Sequence, residues 1–157
     1  MEQTLKKVKS NRVIDAIRVL VAEKWLLFPM VAVAEVVRSA PVINKGNDSP
    51  YLHGWLQWRD SEIPLLAYEK LSGQEKHPHS GTVNALVVNT LGKGEGMDFY
   101  AVLIDDLPQP SRITDTSEFI ESAGEPGEYE FMKVQLDGLD AIVPDLQGLE
   151  RLLRAET

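Results

Sequence analysis

The sequence predicts a mainly β protein of small barrels, closed by one short C-terminal helix. Three observations carry this. Apolar residues come in short runs separated by turn formers, the signature of strands rather than long amphipathic helices. Asp137-Gly138 stands between two such runs and is the strongest local hairpin signal in the chain. Only near the end does the period change, where Leu146, Leu149, Leu152 and Leu153 fall at helical spacing. The expected inventory is about eight to ten short strands and that helix.

Residues 13–21 and 25–28 flank Ala22-Glu23-Lys24 and read as an opening hairpin. Residues 30–37 follow Pro29. Their β-branched content makes them a strand, although periodicity alone leaves a short helix open. Residues 44–50 are a loop by composition. Residues 54–59 and 62–66 form a second hairpin around Asp60-Ser61, with Trp55 and Gln57 on one face and Leu56 and Trp58 on the other. Pro64 removes a ladder donor, which puts its strand at an edge or beside a bulge. Residues 67–71 close with one helical turn ending at Gly73.

Residues 72–82 (SGQEKHPHSGT) read as a flexible connector. Residues 83–91 and 99–104 are strands joined by Gly92-Lys93-Gly94-Glu95-Gly96. Residues 107–127 are polar, contain Pro108, Pro110 and Pro126, and are expected to hold little regular structure. Residues 129–136 and 139–143 complete the Asp-Gly hairpin. Pro144 then serves as helix initiator, and Asp145 lies in the first turn, where a negative charge suits the helix dipole. Gly148 weakens the helix by roughly 1 kcal/mol relative to alanine, so tertiary packing must hold it.

The 157 residues suffice for one domain or two small interlocked halves. Such a chain buries roughly two-thirds of its unfolded surface and needs no metal or disulfide to fold. It carries 16 Lys and Arg against 24 Asp and Glu, a net charge of −8. That argues against a nucleic-acid partner, which needs a basic face to displace counterions. With no cysteine, disulfides, thiolate metal sites and a cysteine nucleophile are excluded. The basic start has no apolar segment after it and is not a secretory signal. The most apolar stretch, residues 25–37, is broken by Pro29 and Glu35 and falls short of the ~20 residues of a spanning helix. The expectation is a soluble cytoplasmic protein.

Few residues suggest catalysis. His77 and His79 flank a proline in the connector, where no rigid scaffold fixes coordination geometry. The glycines at 92, 94 and 96 lack the spacing of a phosphate loop and precede a strand rather than a helix. Asp105-Asp106 ends a strand and Asp137 belongs to a turn, so structural or solvated roles are favoured for these carboxylates and for Asp140. No nucleophile, base and orienter can be assembled. Glu35 is the most informative charge. It interrupts an apolar strand, and a carboxylate on a half-buried face wants a cation or several donors. Arg59, ending another apolar strand, is the candidate partner, and a bidentate pair would lock the strands in register. Otherwise Glu35 simply faces water at an edge. Trp55 and Trp58 point to opposite faces, so one can be core while the other anchors a surface contact.

The order of these features resembles the CheW-like domain of bacterial chemotaxis coupling proteins. The resemblance is carried by Val33-Ala34-Glu35-Val36, by Tyr51-Leu52-His53-Gly54, and above all by Gly54-Trp55-Leu56-Gln57-Trp58-Arg59-Asp60-Ser61-Glu62-Ile63-Pro64-Leu65. Ala85-Leu86-Val87-Val88, residues 100–107, residues 139–146 and Leu152-Leu153 continue it, so it runs from about Val13 to Leu153. No single piece is specific; the ordered series is. Asp60, Ala67 and Ala101 depart from the family pattern, at the glycine after the arginine, an acidic residue and a later glycine. They mark a divergent branch. Such branches serve pathways related to chemotaxis, including type IV pilus twitching motility.

The resemblance implies two intertwined five-stranded SH3-like β-barrels over residues 13–154, after an N-terminal tail of residues 1–12. It implies an adaptor rather than an enzyme, with no cofactor and no metal. The implied partners are the regulatory domain of a CheA-type histidine kinase and the cytoplasmic tip of a chemoreceptor, with no nucleic acid and no membrane insertion. Carried over singly, the partner-contact positions are Val33, Glu35, Gly54 and Arg59. Two other classes stay open on the residues alone. One is a metal-dependent hydrolase or small-ligand enzyme using His53, His77 or His79 with carboxylates. The other is an oligonucleotide-binding barrel, which the acidic composition disfavours.

Overall fold

In the computed structural model, the described residues are 13–46, 49–72, 81–92, 96–122 and 124–157. The N-terminal tail, His77 and His79, most of the connector and the middle of the 92–96 turn lie outside them.

The opening hairpin forms as β1 (Ile14–Val21) and β2 (Lys24–Pro29), paired antiparallel. Its turn residues Ala22 and Glu23 have φ of 48° and 69°. Left-handed backbone at two residues that are neither Gly nor Asn is strained. Asp105 braces it. The Asp105 carboxylate accepts from Ala22 N–H at 2.7 Å, and Asp105 N–H donates to Leu20 O at 2.9 Å. The second Asp-containing turn, Asp137-Gly138, also has positive φ at both residues, as its sequence signal requires.

After β2 the chain does not enter a strand at residue 30, as expected. Met30–Ala32 makes a 3-10 turn, and β3 (Val33–Ile43) begins only then and runs past residue 37. β4 (Leu52–Trp58) and β5 (Ser61–Leu66) form the second hairpin, followed by a 3-10 turn at Tyr68–Ser72. β6 (Thr82–Asn89) and β7 (Phe99–Ile104) follow. These five strands close into a barrel in the order β3-β4-β5-β7-β6. Pro64 is tolerated because the parallel pairing of β5 with β7 starts only at Leu65.

Residues 107–127 correct a second expectation. They contain β8 (Gln109–Ile113) and β9 (Phe119–Glu121). With β10 (Glu130–Leu136) and β11 (Leu139–Pro144), the described strands number eleven. β8 is Gln-Pro-Ser-Arg-Ile, a poor strand by propensity, made by pairing with β1. As an edge strand it accommodates Pro110. The second sheet has the order β8-β1-β2-β11-β10-β9 and is open. The mainly β class and barrel architecture are as the sequence implied, and among the described residues one barrel is closed and the other sheet is open. The closed barrel, β3 to β7, is inserted between the two halves of the open sheet.

Three cores follow from this arrangement. Leu56, Trp58, Leu65, Val87 and Leu103 fill the closed barrel. Leu27, Val134, Leu136 and Ala141 line the open sheet. The largest core lies between the sheets, where Phe28 and Leu26 meet Leu86, Val88 and Tyr100. β6 and β7 are buried on both faces, hence their unbroken apolar runs.

The terminal helix α1 (Leu146–Glu156) inserts Leu149 and Leu153 into the same core. Pro144 belongs to β11 and Asp145 is the N-cap rather than a first-turn residue, its carboxylate accepting from Gly148 N–H at 3.1 Å. A Cβ on Gly148 would sit 2.5 Å from Asp145 Oδ2. The glycine that costs helix propensity therefore makes room for the cap.

Candidate docking site at the mouth of the closed barrel

Glu35 owes its position to a β-bulge. The β3·β6 register shifts between Val33 and Glu35, which sets Glu35 opposite Val87, on the barrel-core side of β6. Trp58 closes the barrel beneath it. Its ring is buried at 5% exposure and packs on Phe99 with centroids 4.6 Å apart. A buried indole N–H needs an acceptor, and Trp58 Nε1 donates to Glu35 Oε2 at 3.3 Å.

The other carboxylate oxygen faces Arg59. Arg59 Nη2 lies 3.7 Å from Glu35 Oε1, and the guanidinium sits 4.4 Å from the centre of the Trp58 ring. The two side chains expected to meet do so. The contact is a single one rather than bidentate, and the side chains are 68% exposed at Arg59 and 46% at Glu35. An ion pair this exposed stabilises by only about 0–1 kcal/mol, so the backbone ladders, not the pair, hold the strands in register.

Arg59 also differs from expectation in its backbone. It is not the last strand residue but the first of the two turn residues, with φ of 54°. The left-handed residue of this turn is the arginine and not Asp60, which stands where the family has glycine. Gln57 Nε2 donates to Arg59 O at 3.0 Å and steadies the turn.

The remaining two expected contact residues lie apart from this cluster. Val33 is half-buried and packs against the core between the sheets. Beside it Met30 and Val31 are 38% and 89% exposed. Gly54 lies four residues up β4 from Trp58, about 13 Å along the strand. Its φ is 149°, and a Cβ there would stand 2.5 Å from Val42 Cγ1 and 2.9 Å from Ile43 O. Glycine is required for β3 and β4 to approach this closely.

Of the two hairpin tryptophans, Trp58 is the core residue. Trp55 is half-buried on the opposite face, with Lys45 Nζ 4.3 Å from its ring centre. Trp25 lines an open groove of about 610 Å³ with Val134, Leu139 and Ile142, its charged groups spread around it. Among the described residues, no group of three or more His, Cys, Asp or Glu is placed to hold a metal ion. No described helix is long and apolar enough to cross a membrane. The strongest pKa perturbations belong to core phenols. Burial pushes Tyr100 and Tyr68 far up, helped by Glu150 at the first and by Glu130 and Asp145 at the second.

One structural cluster escaped the sequence reading. Buried Glu150 on α1 accepts from Leu91 N–H at 2.6 Å and Gly92 N–H at 3.2 Å, and pairs with Arg154 at 3.6 Å. Arg154 Nη2 donates to Gly92 O and Met97 O, so the helix clips the start and end of the β6–β7 connection. The Glu150/Arg154 spacing was the available signal.

The fold is similar to the crystal structure of the scaffolding protein TtCheW from Thermoanaerobacter tengcongensis, with a TM-score of 0.65 and 16% identity over 85% of this chain and 89% of that one. Comparison with curated proteins finds no match. The sequence model of the CheW-like domain matches residues 15–150, from the first strand to the terminal helix. On that match, the chain belongs to the CheW-like domain family.

Proposed function

We propose that this chain is a non-catalytic, cytoplasmic adaptor coupling chemoreceptors to a CheA-type histidine kinase in a chemotaxis-like pathway, flagellar or pilus-based. Val33, Glu35 and Arg59 meet the partners, and Gly54 shapes the surface by bringing β4 against β3. The observation that carries this is the exposed Glu35–Arg59 pair seated on a buried indole. A charged pair held by a rigid barrel is a recognition element that adds little to folding. Family membership and the likeness to TtCheW, a scaffolding protein, support the same reading. A receptor helix hairpin would lay its apolar face near Val33, where Met30 and Val31 are already exposed. Because the chain carries −8, contacts to an acidic receptor tip rely on such apolar groups.

The test is titration of the regulatory domain of a CheA-type kinase from the same organism into the wild type and Arg59→Glu, with thermal melts of both. Binding should weaken at least tenfold while the melting temperature stays within about 2 °C, because so exposed a pair contributes little to stability. Unchanged binding by the folded variant would remove Arg59 from the site. If the wild type binds neither the kinase domain nor receptor tips, the adaptor reading fails.

A further inference from the structure

One aromatic ring touches both members of the exposed pair. Trp58 is the last residue of β4, and its ring lies in the core of the closed barrel with Leu56, 5% exposed. Packing on Phe99, with the two rings tilted by 56°, holds it there. Its edge and its face nonetheless reach the surface charges. Nε1–H donates to Glu35 Oε2 at 3.3 Å, and the Arg59 guanidinium lies 4.4 Å from the ring centre. The ring itself offers a partner almost no surface.

A buried indole does not secure an acceptor by default in this protein. Trp55 Nε1 is buried and has no hydrogen-bond partner among the described residues. The acceptor that Trp58 finds is not barrel backbone but the carboxylate of a side chain that is 46% exposed. The bulge between Val33 and Glu35 delivers it. Left to solvent, a glutamate and an arginine this exposed would sample many rotamers. Their single mutual contact at 3.7 Å is too weak to order them. The two contacts to Trp58 restrict them from the protein side. The hydrogen bond fixes the carboxylate, and the cation–π contact lays the guanidinium on a rigid plane. Each long side chain ordered before binding spares a complex roughly two- to tenfold in affinity.

We propose that Trp58 is a positioning residue of the candidate docking site: it touches no partner, and it orders Glu35 and Arg59 in the free protein so that binding does not have to. What binds rests on the adaptor reading above, whereas the ordering rests on geometry alone. The indole edge acts through Glu35 and the ring face through Arg59, so the two tasks are separable by substitution.

The first measurement needs no partner. Three tryptophans give three indole N–H signals in a proton–nitrogen NMR spectrum. Trp25→Phe and Trp55→Phe, at half-buried side chains, assign two of them and leave the third to Trp58. Glu35→Ala should move that third signal upfield and speed its exchange with water about tenfold, while the other two stay in place. Glu35→Gln keeps an acceptor and should retain most of the protection. A Trp58 signal that Glu35→Ala leaves unmoved overturns the proposal.

The second measurement is titration of the kinase regulatory domain. Phenylalanine keeps a ring face under Arg59 but has no N–H. Trp58→Phe should therefore bind about threefold or more weakly than the wild type, yet change affinity little in a Glu35→Ala background. Any loss from the smaller ring in the barrel core would instead fall equally on both backgrounds, and melts of the four proteins measure it. An equal loss of affinity in both backgrounds makes Trp58 merely structural and overturns the proposal, even where Arg59→Glu weakens binding and the adaptor reading stands. A wild type that binds neither the kinase domain nor a receptor tip overturns the adaptor reading and the docking role of Trp58 with it, while the indole signals still decide whether the ring holds the carboxylate.

Discussion

Replacing Glu150 with alanine tests how much the helix contributes to holding the β6–β7 connection. The carboxylate accepts two backbone N–H groups, at 2.6 and 3.2 Å, and pairs with Arg154, and its side chain is only 7% exposed. The discount for exposed ion pairs therefore does not apply. Hydrogen bonds to a charged group contribute about 1.5–3 kcal/mol each. Leu91 is at the surface, so water recovers part of the loss, and Arg154 keeps its carbonyl partners. The expected cost is about 2–3 kcal/mol, a fall in melting temperature of roughly 4–12 °C for a domain of this size. Urea denaturation gives the free energy, and faster amide exchange at Leu91 and Gly92 locates it. Glu150→Gln keeps a neutral acceptor and should lose about half as much. A loss below about 0.5 kcal/mol for the alanine variant would refute the clip as a stabilising device.

Gly148→Ala should destabilise despite a propensity gain of about 1 kcal/mol, because its Cβ would displace the Asp145 cap, at a cost of about 0.5–2 kcal/mol. In an Asp145→Ala background the same change should become stabilising, which a double-mutant cycle by urea melts will show. Gly54→Ala should cost more than about 2 kcal/mol, since the Cβ meets both Val42 and the Ile43 carbonyl oxygen; a neutral melt would contradict the close strand approach. Tyr100→Phe should be neutral or stabilise by up to about 1 kcal/mol, because the buried hydroxyl has no hydrogen-bond partner among the described residues. Burial raises the folded Tyr100 pKa above its unfolded value of about 10. Its contribution is therefore complete below pH ~10 and is lost as pH rises further and the unfolded phenol ionises. Urea midpoints at mildly and strongly alkaline pH should fall less in Tyr100→Phe than in wild type, and equal falls would count against the assignment.

The legible parts of the fold are those where burial alone decides. Residues 85–88 and 100–104 are apolar throughout because β6 and β7 are covered on both faces. Asp137-Gly138 is legible because its turn needs left-handed backbone at both positions. β8 and β9 were not, since Gln-Pro-Ser-Arg-Ile becomes a strand only through its neighbour β1. Ala22-Glu23 carries no signal for its left-handed turn, which depends on Asp105, just past the end of β7 and 83 residues away. The same distance-dependence hid Glu150, whose backbone partners lie nearly 60 residues upstream.

The candidate docking site was half legible for a related reason. A charge within an apolar strand demands a partner, and that logic found Arg59 for Glu35. It did not find the bulge that aims Glu35 at the barrel mouth, nor the indole N–H beneath it. The indole changes the meaning of the pair. Each Glu35 oxygen has its own contact: Oε2 is held from below by Trp58, and Oε1 faces Arg59 at 3.7 Å. Releasing Arg59 therefore leaves the carboxylate anchored and the buried N–H satisfied, at a cost of only about 0–1 kcal/mol. Under the proposed function the guanidinium exchanges Glu35 for an acceptor on an approaching partner, while its backbone stays fixed by the hairpin. A bidentate, buried pair would have braced the barrel better but would have made that exchange several kcal/mol more costly.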